Sequence, residues 1–248
     1  MAWLHQAALW LHIICGTLLL GLFWLPLLSK KGGAVHSRSG RYFSYAMYGI
    51  SSSGVLMCAL VLWDPIAARG IDVTSFFTAA STSLQAQQIA AYLQQSREFA
   101  KFLLLLSLLA YVNLRHGLLV LQAGPERLAL KHWSHQLAIV ALLGSAIVLL
   151  LSVRGQVLYW VFAVVAMMNV VGIWRYMAKV EVSRHEVLRQ HISNMLACGI
   201  AIYTAFFAFG GRSLLDLHGS AQLVSWLLPS VLGLGAMRWF YQRYTKSK

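Results

Sequence analysis

Histidines are the side chains in this sequence with the clearest capacity for chemistry. There are nine of them beside only seven acidic residues, and neutral imidazole is both a titratable group and a strong ligand for haem iron. His12 and His116 fall inside apolar runs long enough to span a membrane. Because an ionisable side chain at that depth must face the helix bundle or a water-filled cavity, each is a functional candidate.

Two histidines contributed by facing helices are sufficient to hold haem b. We predict His116 and His191 as the metal ligands, with His36 as an alternative ligand or a neighbour of the bound group. Arg41 and Arg115 would then neutralise the haem propionates near the membrane boundary. The competing interpretation is structural: His116 hydrogen-bonds a carbonyl or a tyrosine, while His36 and His191 are hydrated at the interface.

His12 is a further candidate for cofactor binding, but the later helices offer no histidine at a matching depth. A second haem there would need another ligand, such as Met57, so the sequence does not predict the two-haem, four-histidine pattern of many membrane cytochromes. One haem near one face suits electron delivery or redox sensing better than transfer across the whole bilayer.

Two other groups have more than one interpretation. His132 and His135 lie three residues apart on one helical face and could bind a metal. No nearby Asp, Glu or Cys completes a ligand set, which favours hydration at the interface. Arg115 could hold a propionate, a lipid phosphate or a quinone carbonyl, or it could extend its side chain to water.

The elements that must position these residues are membrane helices. The 248 residues are 59% hydrophobic and 11% charged, with a mean hydropathy of +0.65, which predicts an all-α, polytopic membrane helical bundle with no separate soluble domain. A hydrocarbon core of about 30 Å takes about 20 helical residues. We predict seven transmembrane helices, at residues 4–28, 42–63, 98–122, 135–153, 156–175, 191–210 and 221–241.

The distribution of the twenty Lys and Arg residues predicts the orientation. The basic stretch 30–42 contains His36, Arg38 and Arg41 and is expected to face the cytoplasm, as is the later stretch 175–191. The N-terminus would then lie outside and the C-terminus inside, in a bacterial inner membrane. The opposite face keeps only Arg69, Arg97, Lys101, Arg154 and Arg212. Cations spread between helices in this way do not indicate a nucleic-acid partner.

Two segments carry local predictions of structure. Residues 51–54, Ser-Ser-Ser-Gly, let another helix or a flat ring approach closely, and helix packing is the commoner cause. The long connection 64–97 has helix-forming composition in its second half, so it is expected to extend the third span outward or to lie along the interface.

Several classes of function are disfavoured. A lysine is missing from the seventh span, which disfavours a retinal Schiff base, and no Asp or Glu lies deep in any span, which argues against a carboxylate proton relay. The three cysteines form no CxxC or CxxCH pattern, so neither a disulfide nor c-type haem is expected. Motifs of serine hydrolases, zinc proteases and P-loop nucleotide-binding proteins are also missing.

The sequence resembles an uncharacterised family of bacterial predicted membrane proteins. The likeness rests on a helix with His12 and Gly16, on residues 36–42 and on residues 191–195, and it covers most of the chain. In that family the loop reads approximately His-Arg-x-x-Gly-Arg-x-Tyr, and a later helix opens with His-x-x-Trp-Met. The matching positions are His36, Gly40, Arg41, His191 and Met195, and the departures are Ser37, Phe43 and Asn194.

The family is distantly similar to the b-type transmembrane cytochromes, and this resemblance implies haem. Our first hypothesis is therefore a membrane protein that holds a b-type haem near its cytoplasmic face and exchanges electrons with quinone or a partner protein. A second hypothesis is a non-redox carrier or binding protein for an anionic lipid or small amphiphile, which would use the same basic rim. A third is an accessory subunit of a larger membrane complex.

Overall fold

The computed structural model describes residues 1–71, 82–123, 127–153, 156–211, 216 and 219–244, and its described part contains helices and no β-strand. The predicted outer-face cations Arg154 and Arg212 lie outside these residues. A π-helical turn, Phe206–Gly210, follows the ninth helix. The helices are α1 Ala2–Leu22, α2 Trp24–Leu28, α3 Ala34–Trp63, α4 Pro65–Arg69, α5 Thr82–Gln122, α6 Leu128–Lys131, α7 Trp133–Ser152, α8 Val157–Met177, α9 Arg184–Ala205 and α10 Gly219–Tyr244.

Six segments of the described chain are long and apolar enough to cross a membrane, which agrees with the predicted all-α integral membrane protein. The C-terminal helix α10 has 26 residues with Pro229 in its interior and is not among the six. The count of seven spans and the placement of the termini on opposite faces therefore stay predictions. The six segments are Ala2–Leu28, Ala34–Trp63, Ala86–Gln122, Trp133–Ser152, Val157–Met177 and Arg184–Gly210.

The outer surface of the bundle is apolar. Leu18, Leu151, Met168 and Val231, on four different helices, are each more than half exposed. Large apolar side chains exposed on several helices are unfavourable in water and favourable against acyl chains. The exposed faces therefore agree with a bilayer as the surrounding solvent.

Helices α3 and α9 begin about two turns before the spans predicted from the sequence. Helix α3 starts at Ala34 rather than near residue 42, so His36, Arg38 and Arg41 lie on its first turns and not in a loop. Helix α9 starts at Arg184, where Ser183 and Glu186 form a capping box. The polar residues at these two helix starts continue the helix beyond the apolar segment from which the spans were predicted.

Helix α5 is the centre of the bundle, because it packs against α3, α7, α8 and α9. One hydrophobic cluster joins α5 to α7 and α8. A second cluster, on the other side, joins α5 to α1, α3 and α9. Side chains of α5 therefore reach two separate layers of the protein.

Glycines allow α5 to approach two of its neighbours closely. A Cβ atom at Gly54 of α3 would overlap Ser107 of α5, which confirms helix packing at residues 51–54. At Gly117 of α5, a Cβ atom would lie 2.9 Å from that of Asn194 on α9 and would also meet Met195. Small residues at such crossings bring helix backbones together.

The short helix α4 lies at the end of the bundle where α3 ends and α5 begins. Asp64 caps it by accepting from two main-chain N–H groups, at 3.0 Å each, and Gly70 ends it with a left-handed φ of 63°. Arg69 donates to Tyr92 at 3.0 Å, on the extended start of α5. The predicted helical extension of the third span is therefore confirmed, since α5 is continuous from Thr82, and its outward direction stays a prediction.

Candidate functional site

A cavity of about 580 Å³ opens at the end of the bundle where α2 and α5 end and α3 and α9 begin. We call it the ligand cavity, and we call this end of the bundle the basic end. Its volume lies within the range of about 300–1,000 Å³ typical of small-molecule sites. The walls are mostly apolar and include Phe23, Leu27, Phe43, Leu118, Ile192 and Phe240.

Three cations line the ligand cavity: Lys31, Arg41 and Arg184. No Asp or Glu is among its described lining residues. Arg41 and Arg184 are exposed at the rim. An apolar chamber with a wholly cationic rim is electrostatically suited to an anionic headgroup attached to an apolar body.

Lys31 serves the fold as well as the cavity. Its Nζ donates to the main-chain oxygens of Pro26, at 2.9 Å, and Leu27, near the end of α2. It also lies 5.1 Å from the ring centroid of Phe240, a cation–π contact with α10. Burial lowers the pKa of Lys31 from its ordinary value, because desolvation disfavours the charged form.

Two histidines line the same cavity, and each has one ring nitrogen held by the main chain. His36 Nδ1 donates to Pro26 O at 2.9 Å, and His191 Nδ1 donates to Gly117 O at 2.8 Å. A neutral imidazole that donates from Nδ1 keeps its lone pair on Nε2. Each ring therefore retains one nitrogen that can accept a hydrogen bond or ligate a metal.

His116 lies elsewhere, in the interface between α5 and α7. It is fully buried, and its Nδ1 is 3.3 Å from Nε2 of His135, which is also fully buried. The two rings are inclined by 13°, with centroids 5.5 Å apart. The edge-on ring of Tyr176 from α8 completes the contact, 5.7 Å from His116.

Arg115 belongs to this histidine pair rather than to the ligand cavity. Its Nη2 donates to Ser134 Oγ at 2.7 Å, and Nδ1 of the exposed residue His132 lies 2.8 Å from the same oxygen. This forms a polar connection from the surface at the start of α7 into the bundle. The interpretation of His132 and His135 as two hydrated interfacial groups therefore fails for His135, which is fully buried.

His12 is separate from both groups. Its Nδ1 lies 3.1 Å from Ser53 Oγ on α3, near the crossing of α3 and α5 at Gly54. The structure thus brings His36, Arg41 and His191 together at one cavity and places His116 with Arg115 in another group. His116 and His191 do not share a cavity wall.

The donor set limits which metal sites are available. Across the ranges that the structure describes, no group of three or more His, Cys, Asp or Glu side chains could hold a metal ion. Two imidazoles would be sufficient to hold haem b, which would supply one-electron chemistry. In the ligand cavity that pair would be His36 and His191.

Sequence reasoning missed Arg184 as a lining residue and His135 as the partner of His116. The Ser183-x-x-Glu186 signal was present and marks the start of α9, which puts Arg184 on the helix that lines the cavity. For His135 no comparable local signal exists, because its burial depends on which face of α7 meets α5.

Comparisons of this chain with protein-family models, curated proteins and solved structures find no match.

Proposed function

We propose that the protein binds an amphiphilic organic anion, such as an anionic lipid or fatty acid, in the ligand cavity. The observation that carries this proposal is the combination of apolar walls with three lining cations and no acidic group among the described lining residues. An acyl chain would occupy the space beside Phe23, Leu118 and Ile192. The acidic headgroup would meet the arginines at the rim.

The two rim arginines come from different helices, and either can bind an anionic group. Arg41 is supplied by α3 and Arg184 by the first residue of α9. A guanidinium group can bind a carboxylate or phosphate with two parallel hydrogen bonds. A ligand that spans both arginines would be held between the N-terminal and C-terminal halves of the bundle.

Direct binding measurements test this proposal. The protein is placed in nanodiscs of zwitterionic phosphatidylcholine and titrated separately with oleate, phosphatidylglycerol and a short-chain ubiquinone. These three arms distinguish a free acid, a lipid headgroup and an uncharged quinone. Native mass spectrometry of the detergent-purified protein would identify any ligand retained from the cell.

Arg41→Gln and Arg184→Gln are the informative variants, and Arg38→Gln is the matched control. Arg38 is on the same exposed turns of α3 as Arg41 but does not line the cavity. Loss of one charge-assisted hydrogen bond corresponds to about tenfold or more in affinity. We expect that loss for Arg41→Gln and Arg184→Gln, and wild-type affinity for Arg38→Gln. Equal affinity in all four proteins would contradict the proposal.

The second candidate function is binding of haem b in the same cavity, favoured by the two imidazoles that present Nε2. His36 and His191 would ligate the iron, and Arg41 and Arg184 would meet the propionates. Haem would supply one-electron transfer, with quinone or a protein as the electron partner. The membrane-protein family that the sequence resembles is itself distantly similar to b-type cytochromes, which implies the same cofactor.

A visible spectrum before and after dithionite separates these two functions. A haem protein purified from haem-sufficient cells shows a Soret band that His36→Ala and His191→Ala abolish. His185→Ala is the control, because His185 is exposed and does not line the cavity. A colourless protein that binds oleate would rule out haem binding and support anion binding.

The membrane arrangement that we propose places the ligand cavity at the cytoplasmic face of a bacterial inner membrane, with α10 as the seventh span. The support is the concentration of Lys and Arg at the basic end and the positive-inside rule. Cysteine substitutions at Val35 and Ala67, probed with a membrane-impermeant maleimide in intact cells, test the orientation. Labelling from outside at Ala67 and not at Val35 is expected.

A further inference from the structure

We propose that His116 and His135 form a proton-exchanging pair, which moves protons between water at the basic end and the wall of α9 behind the ligand cavity. The two rings are fully buried and in contact, with Nδ1 of His116 and Nε2 of His135 3.3 Å apart. One of these nitrogens donates a hydrogen and the other accepts it.

The remaining two ring nitrogens are buried, and neither completes a hydrogen bond of normal geometry. His116 Nε2 and His135 Nδ1 form no hydrogen bond with any described residue. In a pair of neutral imidazoles, one of these outer nitrogens must carry a hydrogen and the other must carry a lone pair. The pair therefore presents one open donor and one open acceptor at its two ends, whichever ring donates in the middle.

This arrangement can pass a proton without a lasting change in charge. A proton binds the open lone pair, the hydrogen between the rings shifts to the other ring, and the far N–H releases its proton. One proton enters and one leaves, and both rings change tautomer. The reverse transfer restores the starting state, so no oxidant or reductant is needed.

Polar groups continue the path at the His135 end. His135 lies in the first turn of α7, whose first residue, Trp133, is 70% exposed. Ser134 links the exposed His132 to Arg115 beside the pair. Buried polar atoms in such a position are commonly satisfied by ordered water. Water is therefore the proton donor or acceptor that we assign to this end.

The other end leads to α9. The side chain of Gln190 faces His116, although it does not close a hydrogen bond to Nε2. The next residue, His191, lines the ligand cavity. A water beside Gln190 is the proton donor or acceptor that we assign to this end.

The surroundings leave a passing proton mobile. The groups that face the pair are Arg115 on α5 itself, Tyr176 on α8 and Gln190 on α9, and Tyr48 of α3 faces Arg115. None of these is a carboxylate that would hold an imidazolium in place. The positive charge of Arg115 repels a second positive charge on the neighbouring imidazoles, so an extra proton is not held on the pair.

Nitrogen-15 NMR of ring-labelled histidines tests the proposal in the ligand-free, full-length protein in nanodiscs. We expect His116 and His135 to populate both tautomers and to exchange together. His135→Asn keeps a polar partner for His116 but cannot transfer a proton onward, and we expect solvent exchange of the His116 ring to slow at least tenfold. His12, bonded to Ser53, is the internal control and is expected to be unaffected.

Gln190→Leu provides a second variant from the other end of the path, outside the pair itself. It too is expected to slow exchange at His116, which keeps the test decisive if His135→Asn does not insert stably. A single fixed tautomer for each ring, or unchanged exchange at His116 in the variants, would overturn the proposal. Neither result depends on whether the cavity binds an anion.

Discussion

Nδ1 of His191 donates to the main-chain oxygen of Gly117 at 2.8 Å, where α9 packs tightly against α5. This bond joins a wall of the ligand cavity to the residue that follows His116. The two helix backbones can approach this closely because Gly117 has no side chain. The α5–α9 crossing therefore lies between the ligand cavity and His116, whose partner His135 is on α7.

Gly117→Ala is expected to destabilise the protein by about 1–3 kcal/mol, the usual cost of overpacking a tight contact. The added methyl group would meet Asn194 and Met195 and would separate α5 from α9. Thermal unfolding in detergent measures the effect. Gly144→Ala on α7 is the control, because no atom lies within 4 Å of that added methyl group, and it is expected to be neutral or slightly stabilising.

The contact between His116 and His135 is expected to give a coupling energy of about 0.5–3 kcal/mol in a double-mutant cycle. His135→Leu alone leaves His116 with a buried, unsatisfied nitrogen, which costs about 1–3 kcal/mol. The double variant His116→Leu/His135→Leu removes both partners and should lose less stability than the two single variants summed. If the stability lost in the double variant equals the sum of the losses in the two single variants, the rings do not interact.

Lys31 predicts a pH dependence of stability at high pH. Its pKa in the folded protein is lowered by burial from the ordinary 10.5, so the unfolded chain binds more protons between the two values. Stability should therefore rise as pH increases through that window, and the unfavourable burial is fully present below it. The unfolding midpoint of the wild type should therefore rise relative to that of Lys31→Met between neutral pH and pH ~10. A constant difference would contradict the assignment.

The hydrogen bond from Asn169 Nδ2 to Asn113 Oδ1, 2.8 Å long, joins α8 to α5 within the apolar core. Asn169→Leu is expected to cost about 0.6 kcal/mol, the average for such bonds between membrane helices, with about 1.7 as the upper bound. Unfolding by a graded mixture of detergents measures it. Met168→Leu, at an exposed neighbouring position, controls for the change in helix composition.

Hydropathy predicted the helical bundle well, because the length of an apolar segment is a property of the chain alone. Hydropathy defined the helix starts less well, because α3 and α9 extend past their apolar segments on polar turns that contain His36, Arg41 and Arg184. Grouping of the site residues needed the structure. Whether His116 meets His191 or His135 depends on the rotation of three helices, and hydropathy carries little information about that rotation.

The ligand cavity draws its wall from both ends of the chain: His36 and Arg41 come from α3, and Arg184 and His191 from α9. An occupant that touches both sets must bind the associated helices more tightly than the separated ones. Occupancy and helix association then form one linked equilibrium, in which a ligand at 100 times its Kd adds about 2.7 kcal/mol to the stability of the closed arrangement. A bound ligand would therefore stabilise the association of α3 with α9.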